Sequence, residues 1–354
     1  MITNSPHVAI IILNWNGWQD TIECLESVYR ITYPNYTVIL VDNGSEDDSL
    51  EQIRSYCAGG ILVEPKFFVY NPTNKPIKII EYTQEEADVE RAKEDEIINF
   101  PSYRKMILIK NEKNYGFAEG NNIGIRFALR LLNPPYILLL NNDTVVERNF
   151  LTNLVVSMLD NKKIGICQSK ILLKNDPERV DAIGISLDIF GRAHQIGHLS
   201  SNASIFNEKR EIFGACACSA FYRTKMLKQI GLLDEDFFAY YEDVDISWRA
   251  RLYGWICECN PNSIVYHIHS SSGSKIKDYF LARNEIFYLI KNAPIKTIFY
   301  YFIQATISIP FQLLKQKNKK IILKIVQGRI DSIKYIPKMM KKRAIIQSSI
   351  DYAR

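Results

Sequence analysis

The chain offers no unbroken apolar run that comfortably spans a bilayer and no repeat at a period of roughly 20 to 50 residues. It also has no basic and apolar leader ending in small residues. Met1 to Val8 is short and polar, so the N-terminus is expected to stay in the cytosol. Seven cysteines are an odd set, too sparse for a secreted disulfide scaffold, and reduced thiols follow. The pairs Cys216/Cys218 and Cys257/Cys259 lack the C-x-x-C spacing of structural zinc and read as buried thiols on strands. No G-x-G-x-x-G occurs, because Gly116, Gly120 and Gly124 recur every fourth residue, which counts against a nicotinamide enzyme. Walker and G-x-S-x-G signatures are missing too.

What is present is globular: 354 residues, 47% hydrophobic and 23% charged, long enough for a sizeable core and unlike disordered or coiled-coil chains. The net charge of +5 is unevenly spread. From Lys291 onward there are 14 Lys or Arg against Asp331 and Asp351, so the tail carries +12 and the body −7. An acidic body excludes the evenly basic face of a nucleic-acid binder, and no nucleic-acid partner is expected.

The first 150 residues alternate short apolar runs with amphipathic segments, the pattern of a mostly parallel sheet covered by helices on both faces. Candidate strands are 8–13, 37–41, 106–109 and 136–140. Each runs into a polar loop: Asn14-Trp15-Asn16-Gly17, Asp42-Asn43-Gly44-Ser45, Asn114-Tyr115-Gly116 and Asn141-Asn142-Asp143. In an open parallel sheet such loops line the ligand edge. Residues from about 60 to 105 break the rhythm with Pro65, Pro72, Pro76 and Pro101 around an acidic stretch, and read as an inserted lobe. The Gly-, His- and Ser-rich stretch 184–201 reads as a binding loop. At the C-terminus, 297–314 is uncharged but barely of bilayer length, and the segment to Arg343 mixes Ile, Leu and Met with Lys and Arg. A tail so built is expected to lie on an anionic membrane surface; the alternative is a packed helix pair with a solvated basic face.

Asp143, delivered by an apolar strand, suits a hard divalent ion, Mg²⁺ or Mn²⁺, completed by substrate phosphates; the competing reading is an Asx turn that caps the next helix. Asp42 would offer an acceptor to a base or ribose, against helix capping by Ser45 or Asp47. Glu242, Asp243 and Asp245, with Arg249, crowd a helix start. Capping competes here as well, but three acids exceed what it requires, and one can take a proton from an acceptor hydroxyl. His267 and His269 form an H-x-H pair, weak by itself as a metal signal.

Taken in order, Ile11 to Gly17, Val41 to Ser45, Asn114 to Asn122, Leu140 to Thr144, Gly231 to Phe238, Glu242 to Asp245, His267 and Tyr279 to Asn284 resemble the family 2 glycosyltransferases of the GT-A fold, in particular the rhamnosyltransferase-like branch. The resemblance implies a Rossmann-like α/β domain over 1–292, with a nucleotide half (about 1–145), an acceptor half (about 146–292) and the lobe at 60–105, followed by a basic amphipathic helical tail, 293–354. It implies an inverting transfer from a nucleoside-diphosphate sugar, dTDP-rhamnose or a UDP-hexose, to a hydroxyl of a glycan or lipid-linked acceptor in cell-surface polysaccharide or glycoconjugate synthesis. Asn14, Asn16, Asp42, Asn114, Gly116, Asn121 and Asn142 would surround the nucleotide sugar. Asp143 and His267 would serve the metal, and Asp243 would be the base, with Glu242, Asp245 and Arg249 on the acceptor or in support. Asn141 stands where the family's acidic motif has its first Asp, which implies low metal affinity before the donor arrives. The enzyme would be cytoplasmic and peripheral on the inner face of the cell membrane. Two other readings are a sugar-nucleotide nucleotidyltransferase and a non-catalytic sugar- or lipid-binding module. The first would place a basic residue in the loop after the first strand, where Asn14 to Asp20 has none; the intact Asp143, Asp243 and His267 set argues against the second.

Overall fold

The computed structural model describes residues 5–64, 66–70, 72–89, 97, 100–201, 203–268, 276–315 and 318–350. The N-terminal half runs β1 (Val8–Asn14), α1 (Trp18–Val28), β2 (Tyr36–Asp42), α2 (Ser49–Ala58), β3 (Lys78–Thr83), α3 (Gln84–Val89), β4 (Lys105–Lys110), α4 (Gly116–Phe127) and β5 (Tyr136–Asn141). Then come β6 (Thr144–Val146), α5 (Phe150–Asp160), β7 (Ile164–Leu173), β8 (Asp176–Ala182), β9 (Ile185–Leu187), β10 (Ala193–Gln195), β11 (Arg210–Ile212), β12 (Ser219–Arg223) and α6 (Thr224–Ile230). The chain closes with α7 (Glu242–Leu252), β13 (Ile256–His267), α8 (Lys277–Asn292), α9 (Ile295–Lys315) and α10 (Lys319–Ser348).

One mixed sheet carries the order β11-β13-β7-β12-β5-β1-β2-β4-β3. β5, β1, β2, β4 and β3 are mutually parallel, and β12 is inserted antiparallel between β5 and β7. The apolar runs form strands buried on both faces, as parallel sheets require. Ile11, Val41, Ile109 and Leu139 face one core, while Ile10, Ile12, Leu40, Leu108 and Leu138 face the other. The four-residue glycine spacing has its reason here: a Cβ on Gly120 would stand 2.8 Å from Leu13 and one on Gly124 2.8 Å from Ile11, so α4 lies directly on β1. Part of the stretch expected as a lobe, Lys78–Thr83, forms the edge strand beside β4. The stretch 184–201 holds the β9-β10 hairpin.

The basic tail is helical, as expected. α10 packs along α8 through Gly328, Ser332, Met339 and Ile346. Lys342 pairs with Asp234, and both Lys338 and Lys342 pair with Asp236. α9 turns Tyr301 and Ala305 inward. Among the described residues no helix is long and apolar enough to cross a membrane.

Candidate active site

Register alone gathers the loops. β1 and β2 align Asn14 with Asp42, and β1 and β5 align Leu13 with Asn141, so the polar residues after each strand share one edge. Asp42 is buried; its carboxylate accepts from Asn14 Nδ2 (2.7 Å), Ser45 Oγ (2.7 Å) and the Ser45 backbone N–H (3.1 Å). Asn16 is exposed, and its Oδ1 accepts the N–H groups of Glu46 and Asp47. Asn142 Nδ2 donates to Thr21 Oγ1 (2.9 Å), and that hydroxyl donates to Asn14 Oδ1 (2.8 Å). Asn14, Asn16, Asp42 and Asn142 thus form one network. Asn114 Oδ1 accepts from Asn43 and from the Gly116 N–H, shaping the next loop. Gly116 has φ +81°, and a Cβ there would lie 2.5 Å from the Phe238 carbonyl oxygen. That contact joins the two halves. Asn121 is buried, and its Nδ2 donates to Phe117 O within its own helix (2.8 Å).

On the other half, β6 pairs antiparallel with the end of β13, setting His267 opposite Thr144, and Ile268 N–H donates to Asp143 O (3.1 Å). Strand pairing therefore brings His267 Nε2 to 3.2 Å from Asp143 Oδ1, both residues buried. His267 Nδ1 lies 2.7 Å from Oδ2 of Asp181, the penultimate residue of β8. Asp181 also holds His198, whose Nδ1 is 3.1 Å from its carbonyl oxygen. Burial works against a charge on His267, but the Cys218 sulfur and the Asp143 and Asp181 carboxylates outweigh it and hold the ring well above the ordinary histidine range. His269 lies outside the described residues.

Asp243, half-buried at the start of α7, accepts from the N–H groups of Ala217 (3.3 Å) and Val244 (2.8 Å). Burial pushes its carboxyl up to about 6, although those donors favour the anion. Glu242 is buried with Oε2 unbonded among the described residues, and burial and the Asp243 charge raise it well above the carboxylate range. The Cys218 carbonyl oxygen accepts from the Asn141 N–H (2.9 Å), two residues before Asp143, and the Ala217 N–H donates to Asp243. One short segment before β12 thus binds both the strand end that delivers Asp143 and Asp243 itself. Asp245 and Arg249 lie deeper: Asp245 Oδ2 takes Arg249 Nε (2.9 Å) and Lys291 Nζ (2.8 Å), and Asn292 donates to Oδ1 (2.8 Å). They support the helix from below.

The loop before α7 is strained. Phe238, Tyr240 and Tyr241 have φ of +64°, +70° and +69°, a conformation that costs bulky residues about 1–2 kcal/mol each. The Asn284 amide lies within 2.9 Å of the carbonyl oxygens of Phe237, Ala239 and Tyr240, and Arg283 binds those of Asp236 and Phe237. α8 therefore clamps the loop that delivers Asp243.

The Asp143–His267 donor set fits a divalent ion, whose binding would displace the ring proton that Nε2 shares with Asp143. One carboxylate and one imidazole nitrogen face each other, with the far ring nitrogen fixed by Asp181, the arrangement that orients a metal-binding histidine. The Asp234, Glu235 and Asp236 carboxylates also lie within 4.8 Å of one another, but Lys291, Lys338 and Lys342 already neutralise two of them. That trio is an ion-pair knot, not a metal centre. Sequence reasoning missed Asp181, although a lone acid inside the apolar run Val180 to Ile183 is a usable signal of a buried, partnered carboxylate.

A family model described as glycosyl transferase family 2 matches residues 9–78, and one described as glycosyl transferase family group 2 matches residues 136–314. The chain belongs to the family 2 glycosyltransferases. It is similar to a low-salt glycan biosynthesis hexosyltransferase of Haloferax volcanii, 25% identical over 176 residues that cover 46% of this chain and 52% of that one. The chain thus spans about half the length of this curated relative. Among solved structures it resembles a mannosyltransferase from Pyrobaculum calidifontis in complex with GDP-Man and Mn²⁺ (14% identical, TM-score 0.52, 98% of this chain and 86% of that one). It also resembles GalNAc-T7 with UDP, GalNAc and Mn²⁺ (16%, 0.58, 98% and 58%) and S. aureus TarS 1–349 (12%, 0.52, 98% and 93%). At these identities the likeness is one of fold, and the fold is GT-A.

Proposed function

We propose that this chain moves a sugar from a nucleoside-diphosphate donor to a hydroxyl of a glycan or lipid-linked acceptor, with inversion at the anomeric carbon. The observation that carries the proposal is the short segment from Cys216 to Cys218, which binds Asp243 through the Ala217 N–H and the end of β5, two residues before Asp143, through the Cys218 carbonyl. Asp143 and His267 are the residues that would hold Mn²⁺ or Mg²⁺. Bound there, the ion would spread the charge growing on the departing diphosphate. Asp243, raised towards neutrality yet supplied with two N–H donors, is suited to take the acceptor's proton as the hydroxyl attacks in line. The Asn14, Asn16, Asp42 and Asn142 network would seat the nucleotide, with Asn114 and Gly116 shaping the neighbouring loop and Asn121 supporting it from within α4. The donor is a dTDP-rhamnose or UDP-hexose type of nucleotide sugar, and the setting is cell-surface polysaccharide or glycoconjugate synthesis at the inner face of the membrane.

Replacing the base tests this. Asp243→Asn should cut transfer by about 10²–10⁴-fold while donor binding, measured by calorimetry across nucleoside-diphosphate sugars with Mn²⁺, stays unchanged. Transfer at the wild-type rate would remove Asp243 from the chemistry.

A further inference from the structure

The two last helices have a second face. α10 uses Gly328, Ser332, Met339 and Ile346 to sit on α8, so its opposite side is outermost. That side is apolar: Leu323 (68% exposed), Val326, Ile330 (55%) and Ile333 (62%) recur every three or four residues, the spacing of one helical stripe, and Met340 (50%) follows two turns on. From Leu323 to Ile345 the stripe is about 33 Å long. α9 repeats the pattern. Tyr301 and Ala305 point inward, while Ile295, Phe299, Phe302 and Ile303 are exposed. Both helices meet at Glu285 of α8, which accepts from Tyr301 and Arg329, so their outer faces lie away from the same inner helix.

A helix between a protein core and water keeps its outer face polar. This one carries an apolar stripe edged by lysines. Lys319, Lys320, Lys324 and Lys341 have no ion pair among the described residues, and Asp331 is the one acid between Ala293 and Ile350. We infer that the outer faces of α9 and α10 form a docking surface for an anionic lipid bilayer. The apolar stripe enters the headgroup boundary and the lysine stems reach up to the phosphates. A second copy of the chain is a poorer occupant, since a self-complementary contact would set these unpaired lysines against their own copies. The inference gives a surface to the membrane association proposed above and does not depend on the transfer chemistry, so binding and activity fail separately.

The test is co-sedimentation of the full chain with phosphatidylcholine vesicles, with and without phosphatidylglycerol. Wild-type binding should be at least about ten-fold stronger to the anionic vesicles and should weaken with salt. Lys320→Gln, Lys324→Gln and Lys341→Gln combined should lower it about a hundred-fold. Ile330→Glu with Ile333→Glu should abolish it while leaving the circular dichroism and the nucleotide affinity as in the wild type. Should that pair unfold the chain, Ile333→Trp supplies a reporter whose emission shifts to the blue on anionic vesicles. Equal binding to both vesicle types, unchanged binding by the lysine variant, an unshifted emission, or a dimer that the Glu pair splits would each overturn the inference.

Discussion

Asp181 shows how a single side chain can matter without touching a reactant. Its carboxylate fixes His267 Nδ1 at 2.7 Å, leaving Nε2 aimed at Asp143. Asp181→Ala should therefore weaken Mn²⁺ binding in the presence of nucleoside diphosphate by about 10–100-fold, read from the paramagnetic resonance of free Mn²⁺. Asp181→Asn, whose carbonyl oxygen still accepts, should restore part of it; wild-type affinity in the alanine variant would count against the role. Asp243 leads to a pH prediction with a definite sign. A base must be ionised to accept a proton, and burial has moved this one up to about 6. Transfer should climb as pH rises through about 6 and level off above, whereas an ordinary aspartate would be ionised by about pH 5. A profile of kcat/KM that is flat across this range would show that Asp243 is not the titrating base. At this scale the sequence was half legible. Asp143, Asp243 and His267 were candidates from the sequence, and the fold sets two of them, Asp143 and His267, side by side, while Asn121 Nδ2 donates to Phe117 O within its own helix.

At the scale of elements, the order of strands in the N-terminal half was readable because each one is a short apolar run between turn residues. β13 was only partly so. Cys257 and Cys259 read as strand thiols, but the polar stretch Asn260 to Asn262 hides that one strand runs on from Ile256 to His267, because pairing with β7 fixes it and local propensity does not. The close approach of α10 to α8 at one point needs a residue with no side chain. A Cβ on Gly328 would fall 2.4 Å from the Tyr279 carbonyl oxygen and 3.2 Å from Ala282. Gly328→Ala should force the helices apart and cost about 1–3 kcal/mol, seen as a lower denaturation midpoint and faster hydrogen exchange along α10. Unaltered exchange would mean that the contact is looser than the structure places it.

At the scale of the molecule, the charge asymmetry acquires a use. The basic tail closes on the acidic body through Lys338 and Lys342 at Asp234 and Asp236, beside the strained loop that leads to Asp243. The tail is therefore part of the scaffold as well as a surface, and α8 links it to the loop through Arg283 and Asn284. The sequence by itself determined the alternating α/β order, the family and the acids worth watching, since these follow from local periodicity and from motifs that are short in the chain. Only the tertiary structure decided which of them meet. His267 reaches Asp143 because β13 returns beside β6, Asp181 arrives from a strand no motif marks, and Asp245 is claimed by a lysine 46 residues away. Such contacts are set by sheet order and burial, and neither is written in the neighbourhood of any one residue.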